Sequence, residues 1–186
     1  MKIALIGAGN VATHLGKVLK EKGYEVCQVY SRTEQSAAAL GTLLDCAYTT
    51  SLEDVTAEAE LYIVSVKDAV LQDLIRVLVK RNPQALFVHT AGSMPQSVWE
   101  GHAVRYGVLY PMQTFSKQRE VDFGQIPCFV ESNSEEDVQL LKDIASALSE
   151  KVYEASSEQR KSLHLAAVFT CNFTNHMYVL AAELLK

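Results

Sequence analysis

From Met1 to about Ser156 the chain alternates short, β-rich apolar runs with runs of helical period. That alternation predicts parallel strands joined by crossover helices. The first strand is Lys2 to Ile6, a nearly continuous apolar run of the kind that a strand buried on both faces requires. A helix over 10–22 follows, with Val11, Leu15, Val18 and Leu19 on one face and Gly23 placed to cap its end. Next come a strand over 25–30, a helix over 33–40, a short strand over 46–48 and an apolar strand over 61–66. A helix over 69–80 ends before Asn82-Pro83, and a strand over 85–89 breaks at Ala91-Gly92-Ser93. Strands are expected over 103–109, stopping at Pro111, and over 128–131. The group Ser134-Glu135-Glu136-Asp137 then caps a helix reaching about Leu148, and Val152 and Tyr153 form an eighth strand.

From Ser157 the pattern changes. Everything to Lys186 reads as one long helix without Gly or Pro, with Leu163, Ala166, Ala167, Thr170, Phe173, Thr174 and Met177 at helical spacing. A single amphipathic helix cannot bury its apolar face alone. Further sequence, a partner subunit, or both are therefore expected. The predicted fold class is α/β: a Rossmann-type, doubly wound, mostly parallel sheet over 1–155, then over 156–186 a long helix. That helix would open an all-helical C-terminal substrate or dimerisation domain, incomplete in this chain.

Composition changes this picture little. The 186 residues are 48% hydrophobic and 21% charged, ordinary for a globular protein. A net charge of -5 argues against a nucleic-acid partner, because phosphate binding needs a basic face. No stretch approaches the roughly 18 apolar residues that span a membrane, and no signal peptide is expected. Four cysteines, Cys27, Cys46, Cys128 and Cys171, form no C-x-x-C pair, so they read as reduced thiols of a cytoplasmic protein and no metal site is expected.

The chemistry starts at Gly7-Ala8-Gly9-Asn10-Val11-Ala12, a G-x-G-x-x-A string between a buried strand and an amphipathic helix. Gly7 allows the tight turn, Gly9 lets a pyrophosphate approach the backbone, and Ala12 permits close helix–strand packing. The first amides of the helix, at Asn10 and Val11, would grip the phosphates. The second strand ends in Tyr30-Ser31-Arg32-Thr33, where NAD-binding units usually carry a carboxylate for the ribose. Arg32 can pair with a 2′-phosphate, with Ser31 and Thr33 as hydrogen-bond donors, so NADP is expected, with NAD possible. Ligands of such sheets sit beyond the strands' carboxyl ends, which adds the loop Ser65-Val66-Lys67-Asp68, with Ser65, Val66 and Asp68 as contacts beside the cofactor, and His89, Ala91 and Gly92 near the nicotinamide. His89 reads equally as a proton donor or as a structural histidine.

The segment Tyr110-Pro111-Met112-Gln113-Thr114-Phe115-Ser116 resembles the H-P-L-Q-T-F-type segment of a family of oxidoreductases. Those proteins pair a Rossmann-like domain with a C-terminal helical domain of unknown function. The run His164-Leu165-Ala166-Ala167-Val168-Phe169, with Asn172-Phe173 and Asn175-His176, is similar to the opening of that helical domain. In plan the family is similar to pyrroline-5-carboxylate reductases, β-hydroxyacid dehydrogenases and deazaflavin-dependent NADP oxidoreductases. This chain departs from the family at Tyr110, where a histidine is usual, and family members usually continue well past its length. In the β-hydroxyacid dehydrogenases a Lys and an Asn on the equivalent helix serve catalysis, but no clean Lys-x-x-x-Asn pair exists here.

Hydride transfer needs a proton donor beside the nicotinamide. His164, supported by Asn172, is the candidate catalytic pair, and buried structural polar groups are the alternative reading. Pro111, Met112, Thr114 and Asn175 are candidate substrate contacts, although Pro111 and Phe115 could equally shape a hinge. The expected function is an NAD(P)-dependent oxidoreductase acting on a small metabolite with a C=O or C=N group, closed by a homodimer through the C-terminal helix. An NADP-binding sensor without catalysis is the alternative.

Overall fold

The computed structural model describes residues 1–185, and Lys186 lies outside the described residues. Eight strands form one sheet in the order β3-β2-β1-β4-β5-β6-β7-β8. They are β1 (Lys2–Ile6), β2 (Glu25–Tyr30), β3 (Ala47–Thr49), β4 (Leu61–Val64), β5 (Leu86–His89), β6 (Arg105–Pro111), β7 (Cys128–Ser132) and β8 (Val152–Glu154). All neighbours are parallel except β6 and β7. The helices are α1 (Asn10–Glu21), α2 (Glu34–Leu44), α3 (Asp68–Arg81), α4 (Glu135–Leu148), α5 (Ser157–Ala167) and α6 (Thr174–Leu184).

The apolar strands are explained by two packed layers. Ile3, Leu5, Leu61, Ile63, Leu86 and Val88 meet Leu15, Leu19, Leu40, Leu44, Leu141 and Ile144 of α1, α2 and α4 on one face. Ala4, Ile6, Tyr62, Val64 and Phe87 meet Leu71, Leu74, Ile75 and Leu78 of α3, with Trp99, on the other. Successive strand residues thus feed opposite cores, the period-2 consequence of the pleat. The sheet order reverses at β1, whose neighbours are β2 and β4. Crossovers leave β1 in opposite directions there, which opens a crevice at the strand ends.

Several boundaries differ from expectation. Helix α2 runs to Leu44, and Asp45 ends it in the left-handed conformation at φ 56°. Strand β4 stops at Val64 rather than Val66. Strand β6 starts at Arg105, because the Ala103 amide donates to Trp99 O in a turn.

The largest correction concerns the single long helix. Between α5 and α6 lies a π-helical stretch, Val168–Phe173. Thr170 Oγ1 donates to Ala166 O at 3.0 Å, and Thr174 Oγ1 to Phe169 O at 3.5 Å. Such side-chain competition for helix carbonyls bends or widens a helix. The wider turn rotates everything after Phe173 away from the face extrapolated from α5. Among the described residues no helix is long and apolar enough to cross a membrane.

Candidate cofactor and active site

The β1–α1 turn is built for a ligand. Gly7 sits at φ 115°, and its amide donates to Tyr30 O at 2.8 Å, closing the turn over the end of β2. A Cβ at Gly7 would lie 2.3 Å from Ser65 O, so no side chain fits between β1 and β4. Gly9 differs: its φ is -80°, and a Cβ there would meet nothing within 4 Å. That space lies outside the fold, where a pyrophosphate would approach. Helix α1 starts without a side-chain cap, and its first intrahelical bond runs from Thr13 N to Gly9 O. The amides of Asn10, Val11 and Ala12 are therefore left to an external acceptor, at the positive end of the helix dipole.

Beside the turn is a cleft of about 260 Å³ lined by Gly7, Gly9, Ser31, Arg32, Thr33, Ser65 and Val66, all predicted cofactor contacts. Lys67 of the predicted 65–68 loop also lines it, and so does Ser36, which was missed in the sequence. The lining carries two cations and no carboxylate. Neither Arg32 nor Lys67 forms an ion pair among the described residues. An uncapped helix start next to a cationic cleft without an acidic group fits a dinucleotide bearing an extra phosphate.

Other predicted contacts do different work. Asn10 Nδ2 donates to Phe115 O at 2.9 Å, so its side chain anchors a distant loop and leaves only its amide to a ligand. Asp68 lies outside the cleft and accepts from Ser93 Oγ at 2.5 Å. His89 is buried at 1% exposure. Its Nε2 donates to Pro95 O at 3.3 Å and its Nδ1 accepts from the Ala91 amide at 3.2 Å. Burial, with a smaller push from Arg160, lowers its pKa to about 4. Both nitrogens are thus spent on shaping the loop after β5, which places His89 in the structural role of the two left open.

Gly92 holds a specific neighbour. A Cβ there would lie 2.6 Å from His164 Nδ1 and 2.8 Å from Tyr110 Cζ. Tyr110 Oη is 2.9 Å from His164 Nδ1, and the rings meet edge-on with centroids 5.9 Å apart. Burial raises the Tyr110 phenol to about 12. The residue that breaks the family's histidine pattern is thus in direct contact with the candidate proton donor, a relation 54 positions apart in the chain. Met112 packs against the small cluster of Val108, Tyr110, Phe129 and Ala155. Asn172 and Asn175 are exposed, and neither makes a side-chain hydrogen bond among the described residues, so the structure does not bring them to His164.

The loop after Pro111 is not a free hinge. Phe115 is buried and stacks on His14 at 5.2 Å and on Phe123 at 6.1 Å. His14 Nε2 donates to Ser116 O at 2.8 Å. Thr114 is exposed on this pinned loop.

A buried charge cluster seats α5. Arg160 has 0% exposure and pairs through Nη1 with Glu131 of β7. Its Nη2 donates to Met94 O at 2.5 Å. Glu131 also accepts from the Ser157 amide and Ser157 Oγ, both at 2.8 Å. Ser156 begins α5 with a capping box to Gln159. The start of the helix is therefore fixed to the sheet and to the Gly92 loop at once, and His164 lies one turn beyond Arg160.

Sheet order, glycine turn and cleft together define a Rossmann-type dinucleotide-binding protein. Comparison with known proteins narrows this. The family described as NADP oxidoreductase coenzyme F420-dependent matches residues 2–92, and the domain of unknown function DUF2520 matches 126–186. A Bacteroides fragilis protein of solved structure, described as a candidate NADP oxidoreductase, is 62% identical with a TM-score of 0.96, over 99% of this chain and 71% of that one. The chain belongs to this family of oxidoreductases, which joins a Rossmann-like NADP-binding domain to a C-terminal helical domain of unknown function. The expectation of NADP as cofactor agrees with that family.

More distant likenesses show the fold alone. A Thermotoga maritima protein is 21% identical, with a TM-score of 0.79, over 98% of this chain and 69% of that one. An imine reductase from Myxococcus stipitatus in complex with NADP+ is 18% identical, with a TM-score of 0.76, over 98% of this chain and 65% of that one. Comparison with curated proteins gives no match. The helical-domain family begins at residue 126, inside the sheet, so its N-terminal part comprises β7, α4 and β8.

Proposed function

We propose that the chain is a cytoplasmic, NADP-preferring oxidoreductase that reduces or oxidises a small metabolite at a C=O or C=N group. The observation that carries this reading is the cleft beside Gly9: uncapped helix amides at one end, Arg32 and Lys67 on its walls, and no carboxylate among its lining residues. Bound NADPH would supply the hydride from its nicotinamide. The α1 amides hold the pyrophosphate, and Arg32, with Ser31 and Thr33, holds the 2′-phosphate. In the reducing direction, His164 Nε2 gives a proton to the heteroatom on which the C=O or C=N electron pair settles. In the oxidising direction the same nitrogen takes it back.

Two measurements test this. Replacing Arg32 by alanine should weaken NADPH binding by about 10- to 100-fold, the loss of a charge-assisted contact, and leave NADH binding unchanged. Titration calorimetry with both coenzymes reads this directly, and tighter NADH binding by the unaltered chain would refute the NADP preference. Turnover is sought with keto acids, imines and 2-hydroxy acids at the nicotinamide absorbance, with His164→Ala as the control. Tight binding without turnover by the full-length protein favours the sensor reading.

The C-terminal helix supports a homodimer. Phe169, Met177 and Tyr178 are 58%, 64% and 73% exposed on it, a larger apolar surface than a lone helix sustains in water. A solution mass measurement should give twice the chain mass, and a stable monomer would contradict the proposal.

A further inference from the structure

We infer that Tyr110 is a positioning residue for His164: its hydroxyl holds Nδ1, Gly92 provides the notch in which the two rings meet, and Nε2 is the nitrogen left for substrate. This inference rests on the proposed role of His164 as proton donor.

Three observations carry it. First, the Tyr110 hydroxyl has one partner among the described residues, His164 Nδ1 at 2.9 Å, and Nε2 has none. Second, Tyr110 cannot turn away. It is 8% exposed, sits at the end of β6 between backbone pairs to β7, and stacks on Phe129 at 6.3 Å, which stacks in turn on Tyr153 at 5.6 Å. Third, the contact depends on a residue without a side chain, because an alanine methyl at 92 would overlap both His164 Nδ1 and Tyr110 Cζ. A glycine after β5 is expected for close approach to the cofactor. Here its space is already taken by the Tyr110–His164 pair.

The hydroxyl is chemically suited to this place. It accepts from Nδ1–H, which keeps the proton of the neutral ring on Nδ1 and the lone pair on Nε2. The ring therefore keeps one orientation while Nε2 gives its proton from the imidazolium and takes it back as the neutral ring with Nδ1 still protonated, as the two directions of the redox reaction need. The buried phenol keeps its own proton at neutral pH. The anchor on the helix side is Arg160, whose link to Met94 O ties α5 to the same loop that contains Gly92.

The test compares the full-length protein with Tyr110→Phe, Gly92→Ala and His164→Ala. Imidazole nitrogen NMR, with His164 assigned by its absence in His164→Ala, should show the Nδ1 signal moving toward that of an unbonded nitrogen in Tyr110→Phe and again in Gly92→Ala. Gly92→Ala retains the hydroxyl and so guards against an effect of the phenyl ring itself. With a substrate found in the panel above, Tyr110→Phe should lower kcat at least about tenfold and leave the KM for NADPH unchanged. Adding it to His164→Ala should cost nothing more. Unchanged Nδ1 signals, or kinetic losses that multiply in the double variant, would overturn the inference. Full turnover by His164→Ala with altered Nδ1 signals would instead reject the proton-donor reading while leaving the contact intact.

Discussion

Gly7→Ala is expected to destabilise the protein by about 3–5 kcal/mol, and Gly9→Ala to leave its stability within about 0.5 kcal/mol of the parent. Both should lose NADPH binding. The contrast follows from geometry. At Gly7 a methyl group must accept φ 115° and stand 2.3 Å from Ser65 O, so β1 and the loop after β4 must separate. At Gly9, φ is -80° and the methyl meets no protein atom within 4 Å. The only thing it can obstruct is a ligand brought against the helix amides. Urea unfolding followed by coenzyme titration separates the two effects. A Gly9→Ala protein that bound NADPH with parental affinity would place the pyrophosphate elsewhere.

Glu131→Ala is expected to cost about 3–5 kcal/mol, because it leaves a fully buried guanidinium without its counter-charge. Arg160 would keep Met94 O and Ser157 Oγ, which accept hydrogen bonds but carry no charge. The Ser157 amide and hydroxyl would lose their acceptor as well. Replacing both partners by apolar residues of similar volume, Glu131→Leu with Arg160→Met, should recover most of the stability. The double variant should still turn over poorly, since α5 and the Gly92 loop would lose the link from Arg160 to Met94 O. The Arg105–Asp137 pair makes a useful comparison. Its arginine side chain is 38% exposed, so water can partly replace its lost partner, and Asp137→Ala should cost less than Glu131→Ala. The midpoint of urea unfolding checks each variant.

What was legible in the sequence was what repeats at short range. Strand and helix periods foretold the two-layer core, because Ile3 and Leu5 face one helix layer while Ala4 and Ile6 face the other. The glycine string marked the turn because its function depends on residues adjacent in the chain. Arg32 was legible for the same reason, at the end of a strand that pairs with the first. The contacts that build the candidate site span greater distances. Asn10 reaches Phe115 across 105 positions, and Arg160 reaches Glu131 across 29. No periodicity records such pairs, and Tyr110 read in isolation looks like the loss of a family histidine. The π-helical stretch was hidden for another reason. Val168 to Phe173 has ordinary helical composition, and only the hydroxyls of Thr170 and Thr174, bonded back to Ala166 O and Phe169 O, reveal the wider turn. Extrapolating one α-helical face through it carried Asn172 and Asn175 to a position they do not occupy.

The most direct measurement is an amide NMR titration of the full-length protein with NADP+. The backbone signals of Gly9, Asn10 and Val11 should move together, in proportion to occupancy, as their N–H groups take up a phosphate acceptor. Saturating binding that leaves those three signals in place would contradict the account.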